Sequence, residues 1–260
     1  MTAGHPSGGG HGDMDSARGW TVVGAAFLSM FTVFGVAYSF GAFFAPMAAE
    51  FGSSRGATSA VYSITAFLYF SLGVVSGPVT DRVGPRRVLL AGAVAMGGGL
   101  FLTSLVGRLW VGYVTYGLGV GLGVACGYVP MVAVVGGWFE RRRSMAVGVA
   151  VSGIGLGTLA VAPLAAALID HAGWRRTYVV FAVGSSALLL VCAAFVRRPP
   201  ATPAPPAGHV GAALRSRAFR LLYASVLLMS FLLAVAFVYL PVFALAIAPT
   251  SPSTVYAGTF

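Results

Sequence analysis

The chain has 260 residues, of which 58% are hydrophobic and 8% charged, with a formal net charge of +10. An ordinary soluble domain carries about 25% charged residues, so that class is excluded and an integral membrane protein is expected. The positive charge sits in short turns between apolar runs, which argues for membrane topology and against a nucleic-acid partner.

Residues 1–18 come first. They are rich in Gly, Ser and His, include Asp13 and Asp15, and lack the basic start of a signal peptide. They read as a disordered cytoplasmic tail rather than a cleaved leader. Charge-free runs follow at 19–46, 57–79, 88–106, 109–139, 144–169, 177–196 and 221–248. Each can supply the roughly 20 helical residues that cross a hydrocarbon core, and each is too long for the ~9–11-residue strand of a barrel. Seven transmembrane helices are expected. The stretch PPATPAPPAGHVG at 199–211 reads as a semi-rigid spacer. The chain therefore divides into a tail (1–18), a six-helix bundle (19–196), a Pro-rich cytoplasmic linker (197–218) and a seventh helix opening a further unit (219–260).

Twelve of the sixteen arginines fall before span 1, after spans 2 and 4, or between spans 6 and 7; Arg55, Arg108, Arg175 and Arg176 lie on the other side. The positive-inside rule then expects a cytoplasmic N-terminus and a multi-pass protein of the cytoplasmic (inner) membrane.

Topology accounts for the arginines of GPVTDRVGPRR (77–87) but not for Asp81. Asp81 closes the second span, where the helix dipole is negative. Arg86 and Arg87 open the third, where it is positive. Charges set against their own helices call for partners elsewhere, although an ordinary solvated loop is a competing reading. Gly84-Pro85 predicts a tight turn, and Gly77 leaves room for a neighbouring helix. The pattern recurs. Asp81, Gly84, Arg86 and Arg87 match Asp170, Gly173, Arg175 and Arg176 as D-x-x-G-x-R-R, 170 − 81 = 89 positions on. Three spans separate the copies, as an inverted three-plus-three repeat requires.

The turn after the second span, G-x-x-x-D-R-x-G-x-R-R, resembles the signature loop of the major facilitator superfamily. YSFGAFFAPMAAEFGSSRGATS (38–59), YGLGVGLGVACGYVP (116–130), WFERRRSMAVGVAVSGIGLG (138–157) and APLAAALIDHAGWRRTY (162–178) resemble its monocarboxylate transporter branch, including oxalate/formate antiporter-like relatives. The resemblance implies an all-α integral membrane protein with a major facilitator fold: an N-terminal six-helix bundle built as a 3+3 inverted repeat, plus a seventh transmembrane helix. Members usually have twelve spans, so most of a C-terminal half is expected beyond this chain, along with the Arg of an eighth span that holds the substrate carboxylate. The resemblance also implies that Gly77, Asp81, Arg82, Gly84, Arg86 and Arg87 act as a conformational latch against that half. Proton-coupled drug antiporters of the superfamily often carry an Arg in the fourth span and a Gly-Pro step in the fifth. Here the fourth span is uncharged, and the fifth reads Ser152-Gly153-Ile154-Gly155.

All six acids and all four histidines lie outside the spans, and the chain has no Asn, Gln or Lys. An enzyme is therefore not expected, nor a cofactor, a metal site or a proton relay within the helices. Cys126 and Cys192 imply no disulfide framework. Substrate contacts must come from hydroxyls, backbone and apolar surface. Tyr128 leads, deep in the fourth span beside Pro130, whose ring frees a backbone carbonyl. A helix–helix hydrogen bond is the competing role for its hydroxyl. Phe34 and Tyr38 share a face at i and i+4, and Tyr239 sits beside Pro241. Gly119, Gly123 and Gly127, and Gly153 and Gly157, recur every fourth residue and predict close helix contacts. The expected function is secondary active transport (symport or another mode) of a small organic anion, monocarboxylate or oxalate-like, by alternating access, with a proton as a further candidate partner. A drug or sugar carrier of the same superfamily and a non-transporting truncated remnant are the alternatives.

Overall fold

The computed structural model describes residues 16–200 together with 216, 217, 220, 221, 224 and 225. Residues 1–15 of the expected tail, residues 201–215, most of the expected seventh span and Tyr239 lie outside the described residues. The chain divides into two units between Thr202 and Pro203, and the helices that follow all belong to the first.

They are α1 (Ala17–Tyr38), α2 (Phe40–Phe51), α3 (Arg55–Val83), α4 (Pro85–Ser104), α5 (Leu109–Gly127), α6 (Val129–Trp138), α7 (Arg143–Ala172) and α8 (Trp174–Phe195). The helices α1 and α2 together form the first span and α5 and α6 the fourth. Among the described residues, five spans are long and apolar enough to cross a membrane, and six if the bent α3 counts as one. The bend in α3 is 49° between Gly73 and Val75. Pro78 lies four residues beyond Val74, where its ring clashes with that residue's carbonyl and breaks the ladder.

The first and fourth spans are broken at Ser39 and Tyr128. These positions are 89 apart, the offset that also relates the two D-x-x-G-x-R-R turns. In those turns Gly84 (φ 98, ψ 149) and Gly173 (φ 79, ψ 159) adopt the same conformation, and each donates its N–H to a carbonyl four residues back, Thr80 or Ile169, at 2.8 Å. Each glycine ends one helix and starts the next. That region of backbone space is open essentially to glycine alone. Packing repeats the pattern. The first span packs most extensively on the fifth, as the second does on the fourth; the third packs on the fourth, as the first does on the sixth; the third also packs on the sixth. Exchanging spans 1, 2, 3 with 4, 5, 6 maps 1–5 onto 2–4 and 3–4 onto 1–6 and leaves 3–6 unchanged, which is the contact pattern of an inverted repeat.

Small residues set the closest approaches. A Cβ at Gly153 would strike the carbonyl of Phe27, and one at Gly157 that of Phe31, so α7 lies backbone to backbone on α1. Gly99 and Gly119 do the same for α4 and α5. Inside, Phe43 stacks on Tyr178 with ring centroids 4.0 Å apart, fixing α2 to α8.

The two faces differ in how their charges are held. On the arginine-poor face, Arg175 at the start of α8 donates to Glu50 at the end of α2 (2.7 Å) and to the carbonyls of Ser104 (2.8 Å) and Val106 (2.7 Å). Its guanidinium lies over Trp174 at 4.4 Å, and the Trp174 ring N–H donates to Glu50. Both charges sit against their helix dipoles, and each is the other's partner. One arginine thus ties three spans together.

Candidate functional site

Pro130 lacks an N–H and cannot bond back to Cys126, so the fourth span parts at Tyr128. Beside the break, the Gly127 carbonyl accepts from the Ser29 hydroxyl of α1 at 3.0 Å. At the equivalent break in the first span, the Val36 carbonyl accepts from Ser39 (2.8 Å) and Tyr116 (3.5 Å). Backbone opened at membrane depth is tolerated where neighbours satisfy it in this way. The break at Ser39 is followed by the 12 residues of α2, about 18 Å at ~1.5 Å each. That at Tyr128 is followed by the 10 residues of α6, about 15 Å. With a hydrocarbon core of about 30 Å, both lie near mid-depth.

A cluster of aromatic rings fills the space beside the two breaks. Phe34 is its pillar, 5.6 Å from Tyr38, 6.1 Å from Tyr69 and 5.2 Å from Tyr128 between ring centroids, the last two edge to face. Tyr62 lies 6.4 Å from Tyr38 and stacks on Phe40. The rings of Tyr38, Tyr69 and Tyr128 thus all pack on Phe34, and Tyr62 joins them through Tyr38. The bundle's other tyrosines are committed: Tyr113 donates to the Ala57 carbonyl, Tyr116 to that of Val36, and Tyr178 to the Met47 sulfur. Among the described residues, none of the four clustered hydroxyls donates to a backbone carbonyl.

Two cavities flank the cluster. One, about 320 Å³, lies between the first span and α3 towards the arginine-poor face, lined by Tyr38, Phe40, Phe44, Ser59, Tyr62 and Ser63. The other, about 300 Å³, lies between α3 and the broken fourth span, lined by Tyr69, Gly73, Val124, Ala125, Tyr128 and Val129 among others. Neither has a charged side chain in its wall. No group of three metal-ligating side chains occurs among the described residues, and both cysteines are free.

The structure thus brings together three of the four expected contact residues. Tyr38 and Tyr128 open onto cavities; Phe34 is buried and lines neither, supporting the others from beneath. Tyr239 lies outside the described residues. Sequence reasoning missed Tyr62 and Tyr69. Their spacing of seven puts them on one face of α3, two turns apart, and that was the available signal.

The 77–87 turn has the shape its sequence suggests. Asp81 is in the last turn of α3, and Arg86 and Arg87 are in the first turn of α4. All three are exposed, and none has an ion-pair partner among the described residues. A Cβ at Gly77 would meet nothing within 4 Å, so no helix of the described bundle fills the room it leaves. Arg198 covers the turn, donating to the Arg82 carbonyl at 3.2 Å and lying against Gly84.

Residues 26–259 match the family model of the Major Facilitator Superfamily. Monocarboxylate transporter 3 of Rattus norvegicus is 35% identical over 202 residues, covering 77% of this chain and 40% of its own length. Monocarboxylate transporter 13 of Bos taurus is 33% identical, covering 78% and 47%. The MFS-type transporter pynF of Aspergillus niger is 33% identical, covering 71% and 43%. The chain spans less than half the length of these relatives. In structure, it is similar to a mutant of the peptide transporter POT in complex with sulfate: TM-score 0.53, 21% identity, 84% of this chain and 46% of that one. That likeness concerns the fold.

Proposed function

The chain belongs to the Major Facilitator Superfamily, and on that premise we propose that it supplies the N-terminal half-site of a secondary carrier for small organic anions, monocarboxylate or oxalate-like. The observation that carries the reading is the convergence of four tyrosine hydroxyls beside two mid-depth helix breaks. A carboxylate leaving water needs hydrogen-bond donors, and hydroxyls not spent on the backbone can supply them. The half-site has no cation, so the balancing charge comes from the second half, where a guanidinium would grip the carboxylate in a fork. The relatives' names, monocarboxylate transporters among them, agree with this chemistry.

The carrier works by alternating access. The arginine-rich face is cytoplasmic by the positive-inside rule. There Asp81, Arg82, Arg86 and Arg87, hinged at Gly84 and cleared at Gly77, latch onto the second half and release as the halves rock. A proton is the further candidate partner.

The test uses the native protein carrying this chain, reconstituted in liposomes. Preloaded unlabelled pyruvate should drive counterflow of labelled pyruvate. Tyr128→Phe should raise KM about 10-fold or more, since a hydrogen bond to a charged group contributes ~1.5–3 kcal/mol. Exchange of sugars or organic cations without any organic acid would overturn the reading.

A further inference from the structure

The two cavities lie on either side of the tyrosine cluster and differ in chemistry. The cavity beside the first span has the hydroxyls of Tyr38, Tyr62, Ser59 and Ser63 in its wall. The cavity beside the fourth span offers aliphatic and aromatic surface from Gly73, Val124, Ala125 and Val129, with Tyr69 and Tyr128 at its edge. At Gly73 the absence of a side chain keeps it open: a Cβ there would already stand 3.3 Å from the Val129 methyl. An apolar cavity of about 150 Å³ takes a benzene ring, and this one is about 300 Å³. The ring faces and edges of Tyr69 and Tyr128 suit an inserted ring by stacking or edge contact.

We propose that this site selects monocarboxylates with an apolar body, a ring or a branched chain, over short acids and dicarboxylates. The carboxylate lies at the Tyr69 and Tyr128 hydroxyls, and the body enters the cavity between α3 and the fourth span. A dicarboxylate is disfavoured because its second charge, carried past the Tyr69 and Tyr128 hydroxyls, would face the aliphatic wall of Gly73, Val124, Ala125 and Val129, a desolvation without compensation. Gly73 and Val129 set the size of the body. The inference rests on the organic-anion reading above and deepens it.

The experiment compares three labelled acids in liposomes holding the native protein: pyruvate, phenylpyruvate and oxalate, with protein-free liposomes as the leak control. Pyruvate and phenylpyruvate share a head group and differ by the ring. Phenylpyruvate should be preferred over pyruvate by about 10-fold or more in kcat/KM, the scale expected from burying a ring, and oxalate should be the poorest. Val129→Phe and, independently, Gly73→Leu fill the cavity and should cut the phenylpyruvate-to-pyruvate ratio about 10-fold, whatever happens to the absolute rate. Transport of pyruvate or oxalate in preference to phenylpyruvate overturns the selectivity while leaving the carrier function standing. So does a ratio that neither variant moves. Failure to transport any of the three refutes the organic-anion reading itself, and this inference with it.

Discussion

Replacing Arg175 by Ala removes the tie across the arginine-poor face, and the structure sets the size of the effect. The Arg175–Glu50 pair is 37% and 42% exposed, so solvent screens it and it contributes about 0–1 kcal/mol. The stacking on Trp174 adds about 0.5–1 kcal/mol at such a site. The larger part is the pair of bonds from the guanidinium to the Ser104 and Val106 carbonyls. These are charge-assisted, about 1.5–3 kcal/mol each when buried and less at partial exposure. Arg175→Ala should therefore cost about 2–4 kcal/mol. Glu50→Gln keeps an acceptor for Trp174 and should cost about 0.5–1 kcal/mol. Arg175→Lys should recover less than half of the alanine loss, because an ammonium cannot reproduce the fork. The measurement is reversible unfolding in mixed micelles as a double-mutant cycle on positions 50 and 175. The reasoning fails if Glu50→Gln costs as much as Arg175→Ala, since the ion pair and not the carbonyl bonds would then dominate. It also fails if Arg175→Ala costs under about 0.5 kcal/mol.

Gly173→Ala has open space for its Cβ, so any loss is backbone strain; a cost of about 1–3 kcal/mol is expected for this conformation, read by thermal unfolding. Gly157→Ala drives a methyl into the Phe31 carbonyl and should cost about 1–3 kcal/mol, whereas Gly155→Ala, two residues away with nothing within 4 Å, should be neutral or stabilising by up to about 1 kcal/mol. Comparing the two by melting temperature checks that helix contact and not glycine content matters. Ser29→Ala strips the Gly127 carbonyl of its donor and should cost about 1–3 kcal/mol; hydrogen exchange around 124–132 should quicken in that variant.

Much of this architecture was legible in advance because a bilayer imposes its length on the chain. The six charge-free runs between 19 and 196 became the six spans, and Gly84-Pro85 became the turn it resembles. The sequence set wrong-end charges apart only at Asp81, Arg86 and Arg87; the structure pairs another such set, Arg175 opening α8 against its dipole and Glu50 closing α2. That partner could not be named from sequence, because Glu50 and Arg175 are 125 residues apart and only packing joins them. The break at Ser39 was hidden for a different reason. The run 19–46 is uniformly apolar, and its proline, Pro46, would disturb the ladder at Ala42 rather than at Ser39. The tyrosines show the limit for the site. The spacing of Tyr62 and Tyr69 marks a shared helix face, but so does that of Tyr113 and Tyr116; the distinction is whether a carbonyl on another helix lies within reach, as Ala57 does for Tyr113 and Val36 for Tyr116.

The shared offset of 89 also constrains how this chain can change. From break to turn the interval is 45 residues in both copies, from Ser39 to Gly84 and from Tyr128 to Gly173. Substitutions within that interval alter local contacts, but an inserted residue in a helix turns everything beyond it by about 100° and advances it by ~1.5 Å. An insertion within α4, between Gly92 and Gly99, would swing Gly99 away from Gly119. One within α7, between Gly153 and Gly157, would part the second of those glycines from Phe31. Length, more than identity, is what this half of the molecule must keep.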